Sequence, residues 1–339
     1  MSNANQSPAP SPQPRLSPDK PTGLVLLNMG GPDSLRAVRP FLYNLFSDRE
    51  LIQLPAGALL QKPFAWMISR LRAPKVRLNY AAIGGRSPLL EWTEKQANGT
   101  AALLGASFRP LVAMRYWAPR AEECLRQMKE EGIEQAVVLS MYPHYTGATS
   151  GSSLNDFRAT AARVYPQLRF IEIRDWYDWP GYLDALANRI REGLELFHEL
   201  VRDEVVLLFS AHALPQSFID RGDPYLEHVQ ATVSGVLQRL GERPHALGFQ
   251  SRSGPVKWME PDTLDELDRL AAEGAPGVLI VPISFVSDHI ETLQEIDFEM
   301  RMHAEKAGLP RFERSPSLND QPDFLQALAD LVRHHLAQA

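Results

Sequence analysis

The stretch Val205–His212, which reads VVLLFSAH, decides the fold. Its first five residues are all apolar, and a serine, an alanine and a histidine follow directly. A continuous apolar run of this length is typical of a parallel strand that is buried on both faces of a sheet. We therefore predict a buried strand whose carboxyl end carries His212.

The same pattern recurs along the chain. Further apolar runs occupy Leu24–Leu27, Leu111–Met114, Ala136–Leu139, Phe170–Ile173 and Val278–Val281. Helical periodicity lies between these runs, at Pro119–Glu131, Tyr182–His198 and Asp262–Glu273. Strands that alternate with helices predict an α/β fold with parallel sheets flanked by helices.

The length of the chain, 339 residues, is enough for two ordinary domains. We predict one α/β domain over residues 22–178 and a second over residues 179–339, with the break near Trp179–Gly181. Residues 1–21 are rich in proline, serine, asparagine and glutamine. Because such a segment cannot bury enough apolar surface to fold, we predict a disordered tail there.

Composition and charge exclude several classes of function. Hydrophobic residues make up 44% of the chain and charged residues 22%, as in a soluble globular protein. The net charge of −6 argues against a nucleic-acid partner, which requires an excess of lysine and arginine. Cys124 is the lone cysteine, so an intrachain disulfide is excluded and a reducing compartment is favoured. The sequence shows neither a spanning apolar run nor a secretory signal, and we expect a cytoplasmic protein.

Polar residues at the ends of the predicted strands are the first candidates for a site, because ligands of open α/β sheets bind there. His212 occupies such an end and can serve as base or metal ligand. The run Val278–Val281 leads to Glu291, and Glu295 and Glu299 follow at i+4 and i+8 on one helical face. Imidazole and carboxylate together suit a divalent metal that must bind and then leave. Each feature also has a plainer interpretation. His212 can simply form a hydrogen bond to a loop, and the acidic helix can simply have a solvated face.

The segment Leu54–Arg77 combines apolar bulk with a basic cluster. Its members are Leu59, Leu60, Phe64, Trp66, Met67, Ile68 and Leu71, with Arg70, Arg72, Lys75 and Arg77. Such a segment can lie on an anionic membrane surface, or it can bind an apolar ligand that carries carboxylates. A helix packed on the core, with ordinary surface charge, is the third interpretation.

Several strings of this sequence closely resemble the ferrochelatase family, in register, from around residue 22 to the C-terminus. In the first half they are Leu26–Pro32, Ile83–Leu89, Tyr142–Pro143 and Thr149–Asn155. In the second half they are Phe209–His212, Arg221–Tyr225, Gln250–Pro255 and Ser287–Leu293. The resemblance implies two similar Rossmann-like, chelatase-type domains with the active-site cleft between them. It also implies insertion of Fe(II) into protoporphyrin IX, the terminal step in the biosynthesis of protohaem.

The resemblance assigns roles to the residues at matching positions. His212 and Glu291 match the family's active-site pair, and both are expected to act in catalysis and in metal binding. Apart from the resemblance, the shared helical face of Glu291, Glu295 and Glu299 suggests that Glu295 and Glu299 relay protons or metal outwards. Porphyrin-contacting positions are matched by Met29, Arg72, Tyr80, Ser87, Arg115, Tyr142 and Trp258. Met29 favours protoporphyrin, because the branch that uses coproporphyrin usually has tyrosine at that position.

The order of events at the pair stays open from the sequence. His212 can accept a pyrrole proton while Glu291 assists or holds iron, or His212 can be the first ligand of iron. The segment 54–77 matches the family's active-site lip, so peripheral contact with the inner face of a membrane is expected.

No permanently bound cofactor is expected. The chain stops at Ala339 without the cysteine-bearing extension of some members, so we expect no iron–sulfur cluster. Two alternatives to the ferrochelatase reaction remain. One is a chelatase for another tetrapyrrole or metal, such as coproporphyrin or cobalt, and the other is a non-catalytic tetrapyrrole carrier.

Overall fold

A computed structural model of the chain describes residues 14–52 and 57–338. These residues form two units. The first holds residues 14–175 and 325–338, and the second holds Trp176–Phe324. Most of the predicted disordered tail, residues 1–13, lies outside the described residues, and so do residues 53–56 of the predicted lip.

The first unit is built on a sheet of four parallel strands. β1 (Thr22–Asn28) lies between β2 (Phe108–Met114) and β3 (Gln135–Ser140), and β4 (Arg169–Ile173) is paired with β3. All seven residues of β1 are buried, as expected of a central strand covered on both faces. The residues that follow β1 and β2 therefore meet at one edge of the sheet.

The helices of this part of the chain are α1 (Val38–Ser47), α2 (Ala58–Ala82), α3 (Leu89–Leu104), α4 (Ala121–Glu130) and α5 (Ser152–Val164). A π-helical turn at Gly147–Gly151 leads directly into α5. α4 shows how the sequence directs packing, because its buried residues recur at i, i+3, i+4 and i+7: Ala121, Cys124, Leu125 and Met128. This spacing places them on one face, and that face joins the core beneath the sheet.

The second unit repeats the same arrangement. β5 (Val206–His212) lies between β6 (His245–Gln250) and β7 (Val278–Pro282), and β8 (Phe312–Arg314) is paired with β7. In both sheets all strands are parallel, and the first strand of the unit occupies an inner position beside the second and the third. The predicted α/β class with parallel sheets flanked by helices is confirmed.

The helices of the second unit are α6 (Pro180–Leu194), α7 (Gln216–Asp220), α8 (Tyr225–Leu240), α9 (Thr263–Ala272) and α10 (Arg301–Ala307). The segment Glu291–Met300, directly before α10, is a π-helix of ten residues. The spacing after Glu291 predicts an α-helix. The observed π-helix has i→i+5 hydrogen bonds instead, and it is rarer and wider than an α-helix.

The last helix, α11 (Pro322–Gln338), contributes most of its length to the first unit. The side chain of Leu325 packs against Gly99 in α3, and Arg333 Nη2 donates a 2.5 Å hydrogen bond to the carbonyl of Leu103. The predicted second domain, residues 179–339, therefore differs from the observed unit, Trp176–Phe324, by most of this helix at its end and by three residues at its start. An amphipathic helix fits many apolar surfaces, so periodicity alone does not select its partner.

The described end of the predicted tail makes defined contacts with the first unit. The buried side chain of Gln135 accepts a 2.9 Å hydrogen bond from Ser17 N and donates a 2.6 Å one to Ser17 O. Lys20 Nζ lies 2.6 Å from Glu134 Oε2. Residues 17–20 thus contact the start of β3, and the disorder of residues 1–21 stays a prediction.

Two strands escaped the search for apolar runs. β6 reads HALGFQ, in which Gly248 interrupts the apolar pattern, and β8 has only three residues. Gly248 is required by close approach, because a Cβ there would lie 2.9 Å from the backbone Cα of Thr263. Both strands matter to the site described below, because β6 ends at Gln250 and β8 ends at Arg314.

We expect Gly248→Ala to lower the free energy of unfolding by about 1–3 kcal/mol, because the new Cβ would meet a backbone atom of Thr263, which cannot rotate away as a side chain can. The matched control is Gly99→Ala, whose Cβ would meet the Cδ1 atom of Leu325 at 2.5 Å. That side chain can rotate away, and alanine raises helix propensity by about 1 kcal/mol over glycine. Chemical denaturation of both variants measures the difference. Equal losses in the two variants would contradict the packing described for β6.

Candidate active site

The backbone of His212 is held at the carboxyl end of β5. Its N–H donates to Ser284 Oγ at 2.9 Å, and its carbonyl accepts from Tyr225 Oη at 2.9 Å. Tyr225 Oη also lies 2.6 Å from Ser284 Oγ. Because β5 and β7 are paired in register up to Ser210 and Pro282, the residues that follow them come together at this edge. His212 thus has a fixed position beside the segment that leads to Glu291.

The structure brings His212 and Glu291 into direct contact. His212 Nδ1 lies 3.0 Å from Glu291 Oε2. The same oxygen accepts from Gln250 Nε2 at 3.2 Å and from Ser251 Oγ at 3.1 Å. The His212 side chain keeps 35% of its surface exposed, whereas Glu291 keeps 16%. The pair is therefore enclosed on the carboxylate side and accessible on the imidazole side.

The two groups shift each other's pKa in opposite directions. Burial alone would lower the pKa of His212, but the charge and hydrogen bond of Glu291 raise it overall. Burial would raise the pKa of Glu291, yet His212 lowers it to about 2. The contact therefore favours the protonated form of His212 and the ionised form of Glu291 in the free site. A divalent cation that binds there competes with that proton.

Glu295 is linked to the pair through Ser251. Ser251 Oγ lies 2.6 Å from Glu295 Oε2 and 3.1 Å from Glu291 Oε2. One hydroxyl proton can serve only one of these carboxylates at a time. Burial and the charge of Glu291 raise the pKa of Glu295 to about 7. A proton on Glu295 completes the chain, because it can then donate to Ser251 while Ser251 donates to Glu291.

Glu299 takes a different place from Glu291 and Glu295. Its side chain is exposed, and its Oε1 accepts a 2.9 Å hydrogen bond from Gln294 Nε2. The π-helix therefore runs from the enclosed pair to the protein surface. The relay role of Glu295 and Glu299 stays a prediction.

His289 is a candidate that the sequence analysis did not single out. It is buried, and its Nδ1 lies 3.1 Å from the carbonyl of Ser287. Burial lowers the pKa of His289, so its imidazole is neutral. When Nδ1 donates its proton to that carbonyl, Nε2 is the unprotonated ring nitrogen, and it lies 3.9 Å from Glu291 Oε1. The available signal in the sequence is its position two residues before Glu291, in the segment that follows the buried strand β7.

Three of the predicted porphyrin contacts meet at the first unit's sheet edge. Met29 follows β1, and its N–H donates to Asn28 Oδ1 at 2.8 Å. The Ser87 N–H donates to the carbonyl of Pro32 at 2.8 Å. A Cβ added to Gly31 would lie 2.4 Å from Ser87 Oγ and 3.7 Å from Tyr80 Oη. The loop after β1, Tyr80 and Ser87 are therefore in close contact, and Gly31 leaves the space for it.

Arg115 is engaged within the protein. Its Nη2 lies 3.0 Å from Asp48 Oδ2, its Nη1 lies 3.3 Å from Asp156 Oδ1, and its Nε donates to Ser152 Oγ at 2.7 Å. Only 17% of the side chain is exposed. The guanidinium is thus occupied by two carboxylates, which a propionate would have to displace.

The remaining predicted contacts lie in different settings. Arg72 is exposed on α2, with its guanidinium carbon 5.8 Å from the centre of the Phe46 ring. Tyr142 is buried just beyond β3. Trp258, in the second unit, is half-buried and forms an isolated antiparallel bridge with Pro215. Within the described residues, no three His, Cys, Asp or Glu side chains are grouped closely enough to hold a metal ion.

Known proteins that are similar to this chain in sequence belong to the ferrochelatase family. The family model described as Ferrochelatase matches residues 21–336. The ferrochelatase of Geotalea daltonii is 52% identical over 312 residues, which cover 92% of this chain and 97% of that protein. The ferrochelatase of Gloeobacter violaceus is 48% identical, over 93% of this chain and 97% of its own length. SirB from Bacillus subtilis, solved with Fe3+, has a TM-score of 0.55 at 13% identity, covering 93% of this chain and 96% of its own. That likeness concerns the fold alone.

Glu295 should leave a measurable mark on stability. Its pKa is raised from 4.5 to about 7, so between these values the folded protein holds a proton that the unfolded chain releases. This contribution to stability is present below pH 4.5 and is lost as the pH rises through about 7. Glu295→Gln should remove this contribution. The thermal unfolding midpoint of the variant, relative to that of the wild type, should therefore increase as the pH rises from 4.5 to about 7. Glu305→Gln, at an exposed position of α10, is the control. Parallel pH profiles for wild type and Glu295→Gln would contradict the raised pKa.

Proposed function

Because this chain belongs to the ferrochelatase family, we propose that it is a lyase that inserts Fe(II) into protoporphyrin IX and forms protohaem, the terminal step of haem biosynthesis. The observation that carries the proposal is the contact of His212 with Glu291. Their Nδ1 and Oε2 atoms lie 3.0 Å apart, beyond the carboxyl ends of the parallel strands β5 and β7. Insertion must remove two protons from the ring and supply a place for the incoming cation. A carboxylate paired with an imidazole provides both functions.

The pKa shifts favour one assignment of roles. Glu291, whose pKa is lowered to about 2, is ionised at neutral pH and serves as the ligand that receives iron. The arriving cation displaces the proton of His212, since both interact with the same carboxylate. The neutral imidazole then accepts a proton from a pyrrole N–H. Ser251 and Glu295 offer a path by which a proton can leave towards Glu299.

The porphyrin would be held by apolar contact and by cations for its propionates. Met29, Tyr80, Ser87 and Tyr142 are proposed to line the ring, and Met29 favours protoporphyrin as the substrate. Arg72 suits a propionate better than Arg115, because the Arg72 side chain is exposed to solvent whereas only 17% of the Arg115 side chain is exposed. Porphyrin contact remains a proposal for Met29, Arg72, Tyr80, Ser87, Tyr142 and Trp258.

We also propose that this sequence holds no iron–sulfur cluster. Such clusters are normally ligated by several cysteine thiolates. Cys124 is the single cysteine of the chain, and it is buried in the face that α4 turns towards the core. Burial raises the pKa of the Cys124 thiol to about 12, which disfavours the thiolate form.

A cytoplasmic protein with peripheral membrane contact is the localisation that we propose. None of the helices within residues 14–52 and 57–338 combines the length and the apolar character needed to span a bilayer. α2 instead exposes large apolar side chains beside its cations, namely Leu59, Leu60, Trp66, Met67, Leu71 and Leu78. Exposed apolar surface next to basic residues binds anionic lipid surfaces.

The proposed reaction is tested by anaerobic incubation with Fe(II) and protoporphyrin IX. Glu291→Gln should reduce the rate of haem formation by about 100-fold or more, because the amide neither attracts the cation nor assists proton removal. Porphyrin affinity, measured by fluorescence quenching, should change by less than about threefold, which is within 0.7 kcal/mol. Glu305→Gln serves again as a control. Near-normal haem formation by Glu291→Gln would refute the central role of this residue, and equal rates with cobalt or coproporphyrin would favour a different chelatase.

Membrane contact is tested by sedimentation with vesicles of phosphatidylserine and phosphatidylcholine. Trp66 and Leu71 are 53% and 68% exposed, and replacing both by serine should weaken binding by about tenfold or more, since each buried apolar side chain contributes about 1.5–3 kcal/mol. Leu200→Ser is the matched control, because Leu200 is 79% exposed but lies outside α2. If both variants sediment alike, α2 is not the contact surface.

A further inference from the structure

Arg314 is a largely buried cation that lies outside the pair of His212 and Glu291. It is the last residue of β8, and only 13% of its side chain is exposed. Its Nε and Nη2 atoms bind the two carboxylate oxygens of Asp297 at 2.8 and 2.9 Å. Asp297 belongs to the π-helix, so this bidentate contact fixes the distal half of the π-helix to the edge strand of the sheet.

The same guanidinium also reaches the residues that precede the π-helix. Arg314 Nη1 lies 3.1 Å from Asp288 Oδ1. The Asp288 carboxylate accepts further hydrogen bonds from Ser317 Oγ at 2.8 Å and from Asn319 Nδ2 at 2.9 Å. Asn319 Oδ1 in turn accepts from the backbone N–H of Asp288 at 2.9 Å. We call Arg314, Asp288, Asp297, Ser317 and Asn319 the Arg314 cluster.

The Arg314 cluster holds both ends of one segment. Asp288 stands three residues before Glu291, and Asp297 stands two residues after Glu295. Between these two anchors the chain adopts the π-helical geometry, which is rare and found mostly as single-turn bulges, frequently at functional sites. Tertiary contacts must therefore hold it. The two carboxylates between the anchors are those that reach Ser251, at 3.1 and 2.6 Å.

Backbone strain within the cluster points the same way. Asn319 has a φ of 44°, in the left-handed region that non-glycine residues rarely occupy. Its side chain makes two hydrogen bonds to Asp288, which compensate for this conformation. Strained residues of this kind persist where the surrounding contacts determine them, and they concentrate near functional sites.

We propose that Arg314 is a positioning residue for metal insertion. By binding Asp288 and Asp297 at once, it fixes the segment between them and sets the distance of Glu291 from His212 and of Glu295 from Ser251. The inference rests on the proposed function, because it gives the Arg314 cluster a role in receiving the metal ion. It assigns Arg314 no contact with iron or porphyrin.

The test compares Arg314→Lys with Arg311→Lys. Lysine keeps the charge but is a single point donor, so it cannot bind both oxygens of Asp297 and also Asp288. Arg311 is the matched control, since it lies just before β8 and makes one ion pair with Glu313 at 3.0 Å with 51% of its side chain exposed. Arg314→Lys should lower kcat by about tenfold to 100-fold and raise the KM for Fe(II), as is usual when supporting contacts of a metal site are lost. The KM for protoporphyrin IX should stay within a factor of about two, which is 0.4 kcal/mol, and Arg311→Lys should match the wild type.

A purely structural role of Arg314 would give a different pattern. It would lower the unfolding midpoint and weaken the binding of porphyrin and of iron together, and that result would overturn the proposal. An unchanged kcat with an unchanged KM for Fe(II) would overturn it as well. Asp297→Asn is the second variant, because it keeps the shape and one acceptor oxygen at a half-buried position. If Arg314→Lys does not fold, Asp297→Asn decides, and a loss of kcat without a change in porphyrin KM is expected from it.

Binding of Co(II) alone, measured by calorimetry on the porphyrin-free protein, separates this inference from the proposed function. Arg314→Lys should bind Co(II) about tenfold more weakly than the wild type and Arg311→Lys. If the wild type forms no haem, the proposed function fails, yet the Co(II) comparison still tests whether Arg314 sets the geometry. Equal Co(II) affinities in all three proteins would overturn the positioning role.

Discussion

The hydrogen bond between His212 Nδ1 and Glu291 Oε2, 3.0 Å long, is the interaction on which the site depends. Its partners are 79 positions apart in the chain and meet because β5 and β7 are neighbouring parallel strands. A single charge at this place would be costly to bury, whereas the paired imidazole and carboxylate compensate each other. The fold therefore places a hydrogen-bonded imidazole and carboxylate beyond the carboxyl ends of two neighbouring strands, and these are two groups that can bind a divalent cation.

The geometry of that pair is held by residues that do no chemistry themselves. Tyr225 and Ser284 fix the backbone of His212, while the Arg314 cluster fixes the segment that carries Glu291. Among the described residues, the two non-glycine residues with positive φ are Ser251 and Asn319, and both hydrogen-bond to this segment. Conformational strain is thus concentrated around the candidate site, where fixed positions matter most for moving a metal and two protons.

The sequence predicted the fold class, and it predicted that His212 and Glu291 follow buried strands, because both follow from continuous apolar runs and from what comes after them. That these two residues form a pair was implied by the family resemblance. Three features could not be read in that way. An i, i+4 spacing fits an α-helix and a π-helix equally, so the geometry of Glu291–Met300 depends on tertiary contacts such as Arg314. The sequence places Arg115 at a porphyrin-contacting position of the family, but its ion pair with Asp48, 67 residues away, could not be read from any local pattern. The last helix packs with the first unit, and no periodicity identifies the partner of an amphipathic face.

Proton release during iron insertion measures the central role of the pair most directly. The wild-type protein, incubated anaerobically with Fe(II) and protoporphyrin IX in weakly buffered solution, is followed at once by haem absorbance and by a pH-sensitive dye. Insertion at a site that removes both ring protons predicts many haems per chain and two protons released for each. Haem formation that stops at one per chain would indicate a tetrapyrrole carrier, and the absence of haem would contradict iron insertion at His212 and Glu291.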